Sequence, residues 1–333
     1  MRTIIAIPPM PRMTGGIAVL YQVAERLREL GGEVVLAGAN EAPGLAAKEK
    51  DGFPVLPWEK LAKELRKEDT FVIAEGWPNM AAPALAAKCR LFVYAQNWAY
   101  VFSALPQGVR WQDLPLSFIA VSDPVRRFLE MTHLPVAGTI RPAIDAERFS
   151  PRQENKPKRL RIAFMPRKNK ALADQIRQIF TAMDEGVSNE KKMRVEWVEI
   201  HKMTPGEVAA TLGSCHIFLA TGFPEGCPLP PLEGMASGCI VTGFAGYGGW
   251  DYMRQAAANG YAPRFALRDT GFTANGFFAS DGDVMEAATL LAEAAAIVRE
   301  GGAGQAAVRN AAIATAAAYS AESQRNETAS VFL

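Results

Sequence analysis

The chain has 333 residues, 49% of them hydrophobic and 21% charged, and a formal net charge of +1. That length exceeds what one core usually serves and predicts two domains of roughly 150 residues each; the composition excludes a disordered chain. A near-neutral charge without a dense Lys/Arg tract argues against nucleic acid as a primary partner.

Cys89, Cys215, Cys227 and Cys239 lack the paired spacing of a zinc site, and a chain of this length needs no disulfide staples, so a reducing cytoplasm is the expected setting. The apolar run that opens the chain is too short for a signal-peptide core. No stretch approaches the roughly 20 apolar residues that span a bilayer, which limits any membrane contact to a peripheral one at the inner face.

In chain order, Thr3 to Ile7 reads as a strand, and Gly15-Gly16 leads into helical periodicity from Ile17 to Leu30, which Gly31-Gly32 stops. Glu33 to Gly38 follows as a second strand. The unit is about 35 residues long, the size of a βαβ element, so the sheet should be parallel. Short apolar runs at 70–74, 91–95 and 116–121 read as buried strands. Ser122 and Asp123 before Pro124 predict a capped helix from Pro124 to Met131, and Val136 to Ile140 closes the first sheet. The polar, twice proline-interrupted stretch 150–159 reads as a linker, giving domains 1–150 and 151–333.

Beyond it the alternation restarts, with strands at 161–165, 194–200 and 216–220 and helices at 170–183 and 206–212. Asp283 and Glu286 are spaced like a capping box ahead of a helix that runs to Arg299, and 306–330 reads as a terminal helix packing back on the N-terminal domain.

In open parallel sheets ligands bind beyond the carboxyl ends of strands, so the loops after Ala6, Ala95, Met165 and Ala220 are the places to look. The last contains Glu225-Gly-Cys-Pro-Leu-Pro-Pro-Leu-Glu233-Gly-Met-Ala-Ser-Gly238. Pro230 or Pro231 falls in the first helical turn, Glu225 at the loop end of the strand and Glu233 in the opening turn of the helix. The N–H groups of Gly226, Cys227 and Leu229 lie between them, where the positive helix end can hold a phosphate. Two acids beside an anion are suited to accepting hydrogen bonds from hydroxyls next to it.

This Glu-x7-Glu string resembles the signature loop of retaining family-four GT-B glycosyltransferases. The resemblance implies an α/β chain of two Rossmann-like domains facing each other across a cleft, the N-terminal one on the acceptor side and the C-terminal one holding the nucleotide sugar. It implies that Glu225 contacts the transferred sugar and Glu233 the nucleotide ribose. Pro228 stands where many members have glycine and removes one N–H donor.

Thr14-Gly15-Gly16 is similar to the family's glycine loop. Arg167, Lys168 and Lys170 gather three cations where members use an Arg and a Lys on the diphosphate, with Lys168 and Lys170 interchangeable. Gln96 and Asn97 occupy the place of a His near the transferred sugar, in a loop that resembles that of bacterial rhamnosyltransferases. The segment from His201 to Glu207, which includes Lys202, lies where members hold the nucleobase. Arg141-Pro replaces Asn-Gly in the pre-linker turn, and Trp250-Asp251 departs from the Pro-Glu that often follows Gly-Gly.

The implied reaction is metal-independent transfer of a hexosyl group from a nucleoside diphosphate to a glycan or lipid-linked acceptor. No cofactor is expected beyond the donor itself, and the cleft would close on it. Asp281-Gly-Asp283 before a helix is a cap rather than a metal site, and His133, His201 and His216 share no ligand or triad spacing. A Rossmann oxidoreductase is disfavoured because the first loop lacks Gly-x-Gly-x-x-Gly and no acid closes the second strand. A GT-B-like sugar-nucleotide epimerase and a non-catalytic nucleotide-sugar-binding protein are the remaining alternatives.

Overall fold

A computed structural model of the chain describes residues 2–39, 41–151, 158–186 and 193–333. Two compact units emerge, Met1–Ala143 together with Ala321–Leu333, and Ile144–Ser320. Residues 152–157 of the stretch read as a linker lie outside the described residues.

The first unit runs β1 (Arg2–Ala6), α1 (Gly15–Glu29), β2 (Glu33–Gly38), α2 (Leu45–Lys50), β3 (Val55–Pro57), α3 (Trp58–Glu64), β4 (Thr70–Ala74), α4 (Ala82–Ala87), β5 (Arg90–Ala95), α5 (Tyr100–Ser103), β6 (Ser117–Ala120), α6 (Asp123–Met131) and β7 (Val136–Thr139). Its strands pair in the order β3-β2-β1-β4-β5-β6-β7, each pair parallel. The continuous apolar runs predict this: Ile4, Ile5, Phe71, Val72, Phe92 and Val93 are buried, as strands covered by helices on both faces must be. Thr14 caps α1 by accepting from Ile17 N at 3.3 Å, and Ser122 caps α6 by accepting from Val125 N at 3.3 Å.

The second unit runs β8 (Leu160–Phe164), α7 (Lys170–Glu185), β9 (Val195–Glu199), α8 (Pro205–Ser214), β10 (Ile217–Ala220), α9 (Leu229–Ala236), β11 (Ile240–Phe244), β12 (Gly276–Ala279), α10 (Val284–Glu300) and α11 (Gly302–Ala317). The strand order is β12-β11-β10-β8-β9, again parallel. Leu160, Ile162, Ile217 and Leu219 of the sheet share a core with Ala287, Leu291 and Ala294 of α10. Asp283 caps α10, accepting from Glu286 N at 2.9 Å. The box closes on one side only, because the Glu286 carboxylate accepts instead from Tyr261 N and Ser280 N.

The terminal helical stretch is two helices, α11 and α12 (Ala321–Phe332), and the second belongs to the first unit. Glu327 accepts from Arg141 N at 2.7 Å and from its guanidinium at 2.5 Å, and Gln324 donates to Arg141 O at 2.9 Å. Phe332 meets Phe92 edge-on with ring centroids 5.5 Å apart. Val331 lies where a side chain on Gly138 would stand, 2.6 Å from the position of a Cβ.

Candidate functional site

In the second unit β9 lies on one side of β8 and β10 on the other, so the connections leaving β8 and β10 part in opposite directions. Such a switch point opens a crevice at the strand ends. The two loops bordering it are 165–169 and 221–228, which carry Arg167, Lys168, Glu225, Gly226 and Cys227.

These loops are tied together. Asn169 adopts a left-handed φ of 55°, which an Asn tolerates better than most residues. Its Nδ2 donates to Thr221 O at 2.8 Å and to Phe223 O at 3.3 Å, while Thr221 Oγ1 donates to Lys168 O at 3.2 Å. The Lys168 ammonium, held by this brace, forms an ion pair with the Glu225 carboxylate. Two groups assigned separately to leaving diphosphate and sugar are thus in direct contact.

The three cations of the β8 loop part company. Lys168 faces Glu225, whereas Lys170 opens α7 and pairs along its own helix with Asp174 at 2.6 Å, so the two lysines are not interchangeable. Arg167 is exposed at the tip of the loop. Lys202, at a left-handed φ of 52°, is exposed after β9.

Glu225 is further fixed by the loop that follows β11. Glu225 N donates to Gly246 O at 2.9 Å and Gly248 N donates to Glu225 O at 3.0 Å, a short parallel bridge. Glycine is required at both positions. A Cβ on Gly246, whose φ is +67°, would stand 2.8 Å from Glu225 Cβ, and one on Gly248 would stand 2.0 Å from Gly226 O. Asp281 holds the bridge from the far side, accepting from Gly246 N at 2.7 Å. The residue is exposed, yet local burial pushes its carboxyl upward, the Gly246 amide opposes this, and the Glu225 charge adds to the rise. The Asp281-Gly-Asp283 sequence therefore does two jobs, a helix cap at Asp283 and a brace at Asp281. The Gly246-Tyr-Gly-Gly249 turn is part of the scaffold under Glu225.

Helix α9 departs from expectation in two respects. Pro228 is its N-cap, and Pro230 and Pro231 follow Leu229, so the opening turn offers the Leu229 N–H while the three prolines offer none. Gly226 and Cys227, both buried, precede it. Pro228 instead contributes its carbonyl, which accepts from the buried Tyr252 hydroxyl at 2.7 Å. Glu233 lies one turn further into the helix than predicted, because the helix begins at Leu229. Among the described residues no donor hydrogen-bonds its carboxylate. Burial pushes it up to about 7, opposed by the charge of Arg148.

In the first unit the switch point falls between β1 and β4. Gly15 and Gly16 open α1 there, and Gln96 and Asn97 follow β5. Gln96 Oε1 stands 2.6 Å from the position a Cβ on Gly16 would take, so a side chain there would displace the Gln96 carboxamide. The Asn97 side chain closes its own turn, Oδ1 accepting from Ala99 N at 3.1 Å. Sequence reasoning passed over Glu75 after β4. This acid is 4% exposed and accepts from Gln96 N at 3.1 Å and Asn97 N at 2.9 Å, one on each oxygen. Burial pushes it up to about 7 against the pull of those amides.

Among the described residues no group of three or more His, Cys, Asp or Glu could hold a metal ion, and no helix is long and apolar enough to cross a membrane. No family model matches the chain. A curated alpha-1,6-glucosyltransferase of Actinobacillus pleuropneumoniae is 27% identical over 242 residues, 70% of each chain. Among solved structures, HepE of Anabaena in complex with UDP and glucose superposes with a TM-score of 0.68 at 12% identity over 98% of both chains. The lipopolysaccharide outer core galactosyltransferase WaaB superposes with a TM-score of 0.60 at 11% identity, also over 98% of both. TarM of S. aureus, in complex with UDP among other ligands, superposes with a TM-score of 0.58 at 12% identity; there 82% of this chain spans 57% of the longer protein. With its two parallel α/β units the chain has the GT-B fold, and the curated glucosyltransferase is a sequence relative at 27% identity.

Proposed function

We propose that this chain is a retaining glycosyltransferase that moves a hexosyl group from a nucleoside diphosphate to a glycan or lipid-linked acceptor without a metal ion. The observation that carries the reading is the Lys168–Glu225 pair at the switch point of the second unit, with Glu233 close by in sequence on α9 and unsatisfied by any donor among the described residues. A half-buried carboxylate that no donor among the described residues engages is left open to accept from a ligand, and a ribose diol supplies two donors. The curated relative is named for glucosyl transfer and the HepE structure contains UDP and glucose, which makes a uridine diphosphate hexose the first donor to test.

An arriving diphosphate competes with Glu225 for the Lys168 ammonium. Lys168 and the exposed Arg167 take the phosphates, and Glu225 is released to accept from a hydroxyl of the sugar. As the bond from the anomeric carbon to the phosphate oxygen breaks, the two cations stabilise the charge that collects on the diphosphate. The acceptor oxygen bonds to the anomeric carbon on the same face, and its proton passes to the departing phosphate. Neither Glu225 nor Glu233 acts as a nucleophile in this scheme. The Leu229, Cys227 and Gly226 amides, Gly15 and Gly16 at the head of α1, and Lys202 near the base are secondary contacts. A lipid-linked acceptor would bring the protein to the inner face of a membrane as a peripheral enzyme of polysaccharide synthesis.

Turnover of UDP-hexoses by Glu225→Gln tests this most directly among single substitutions. The variant keeps the shape and loses the charge, and the expected loss is at least about tenfold, or about 1.4 kcal/mol of transition-state stabilisation. Unchanged turnover removes Glu225 from the mechanism.

A further inference from the structure

The first unit contains a buried acid, Glu75, that the reaction as described does not use and that lies beneath the Gln96-Asn97 loop. Glu75 follows β4 and the Gly15-Gly16 turn follows β1, so the two stand at the switch point of that sheet, with the Gln96-Asn97 loop on the neighbouring strand β5. A glutamate buried to 4% exposure with one backbone amide on each oxygen is a specific anchor rather than a solvated turn residue. What it anchors is unusual. The Gln96 carboxamide packs its oxygen into the space left by the missing side chain of Gly16. Its nitrogen is buried and has no hydrogen-bond partner among the described residues. Asn97, by contrast, spends its oxygen on its own turn.

Resting on the glycosyltransferase reading, we propose that Glu75 is a positioning residue. By clamping the Gln96 and Asn97 amides it sets the Gln96 carboxamide against the head of α1, where the buried Nε2 donates to a hydroxyl oxygen of the glycosyl substrate. Two features make the clamp sensitive to substitution. Both contacts use a carboxylate oxygen as acceptor, so a carboxamide of the same shape would turn an N–H toward one of the two amides. The reach is also fixed, because an aspartate shortens the arm by one methylene. Glu75 touches no substrate in this account; Gln96 does.

Glu75→Gln and Glu75→Asp are compared with the wild type in two measurements. The first is amide hydrogen exchange of the 95–99 segment in the ligand-free protein. Faster exchange at Gln96 and Asn97 is expected in both variants, while α1 and the second unit keep wild-type protection. Unchanged exchange at those amides overturns the clamp. The second is transfer kinetics set beside UDP affinity. A fall in kcat of at least about tenfold is expected for Glu75→Gln, with the Kd for UDP within about twofold of wild type. A wild-type kcat alongside faster exchange overturns the functional half of the proposal. So does a loss of UDP affinity in step with kcat, the mark of general destabilisation. Gln96→Ala should reproduce the kinetic loss without touching the clamp, and wild-type kinetics for it would overturn the role of Nε2. Absence of transfer by the wild type would sink the glycosyltransferase reading itself, and the exchange measurement would still decide whether Glu75 holds the loop.

Discussion

Glu233 shows how burial and ligand binding trade against each other at one residue. Its carboxyl is held up at about 7 by desolvation, against an ordinary value of 4.5. In the unfolded chain the group ionises near its ordinary value. The stability it contributes is therefore complete below about 4.5 and is lost as the pH rises through about 7. A nucleotide whose ribose hydroxyls donate to Glu233 binds the ionised form, so affinity for UDP should tighten from pH 6 to pH 8. Phosphate ionisation, with a pKa of about 6, contributes to the same trend in any protein. The diagnostic result is therefore the difference between wild type and Glu233→Gln, measured by titration calorimetry across that range. The variant should bind more weakly at pH 8 and lose the part of the slope that Glu233 supplies; parallel curves would remove Glu233 from the ribose contact.

Elements were legible where burial writes a continuous apolar run or where a cap has a sequence. The segments β1, β4, β5, β8 and β10 are of the first kind, and α6 behind Ser122-Asp-Pro124 is of the second. The strand β3 is three half-buried residues, and β12 emerges from a Gly- and Thr-containing stretch, so neither has enough length to show a period. The break between α11 and α12 falls at Ala318–Ser320, at the end of an Ala-rich run whose composition favours helix on both sides. The braces under Glu225 were illegible for a different reason. Asn169 acts through a left-handed backbone, and Gly246 and Gly248 act through close approach, which are properties of the folded chain. Gly248→Ala tests that brace. A Cβ 2.0 Å from Gly226 O must push the loop apart, at a cost of about 1–3 kcal/mol for overpacking. The melting temperature should drop by several degrees and turnover should fall with it. Gly206→Ala, where a Cβ meets open space, serves as the control and should match the wild type. Wild-type turnover in Gly248→Ala would show that the bridge does not position Glu225.

For the molecule as a whole, the repeated strand–helix alternation made two parallel α/β units readable from sequence, and the Glu-x7-Glu string located the second unit's switch point. Sequence could not show that Lys168 rather than Lys170 meets Glu225, since they are two residues apart and only the start of α7 at Lys170 sends them different ways. Nor could it show Glu75, a lone acid in a turn whose role appears only when β4 and β5 lie side by side. The central claim, transfer from a nucleoside diphosphate sugar with retention, is tested most directly by incubating the protein with UDP-glucose and a glycan acceptor and following the anomeric proton by NMR. The account predicts release of UDP together with a new glycosidic bond of the same anomeric configuration as the donor. A product of inverted configuration, or a changed nucleotide sugar formed without acceptor, would contradict it.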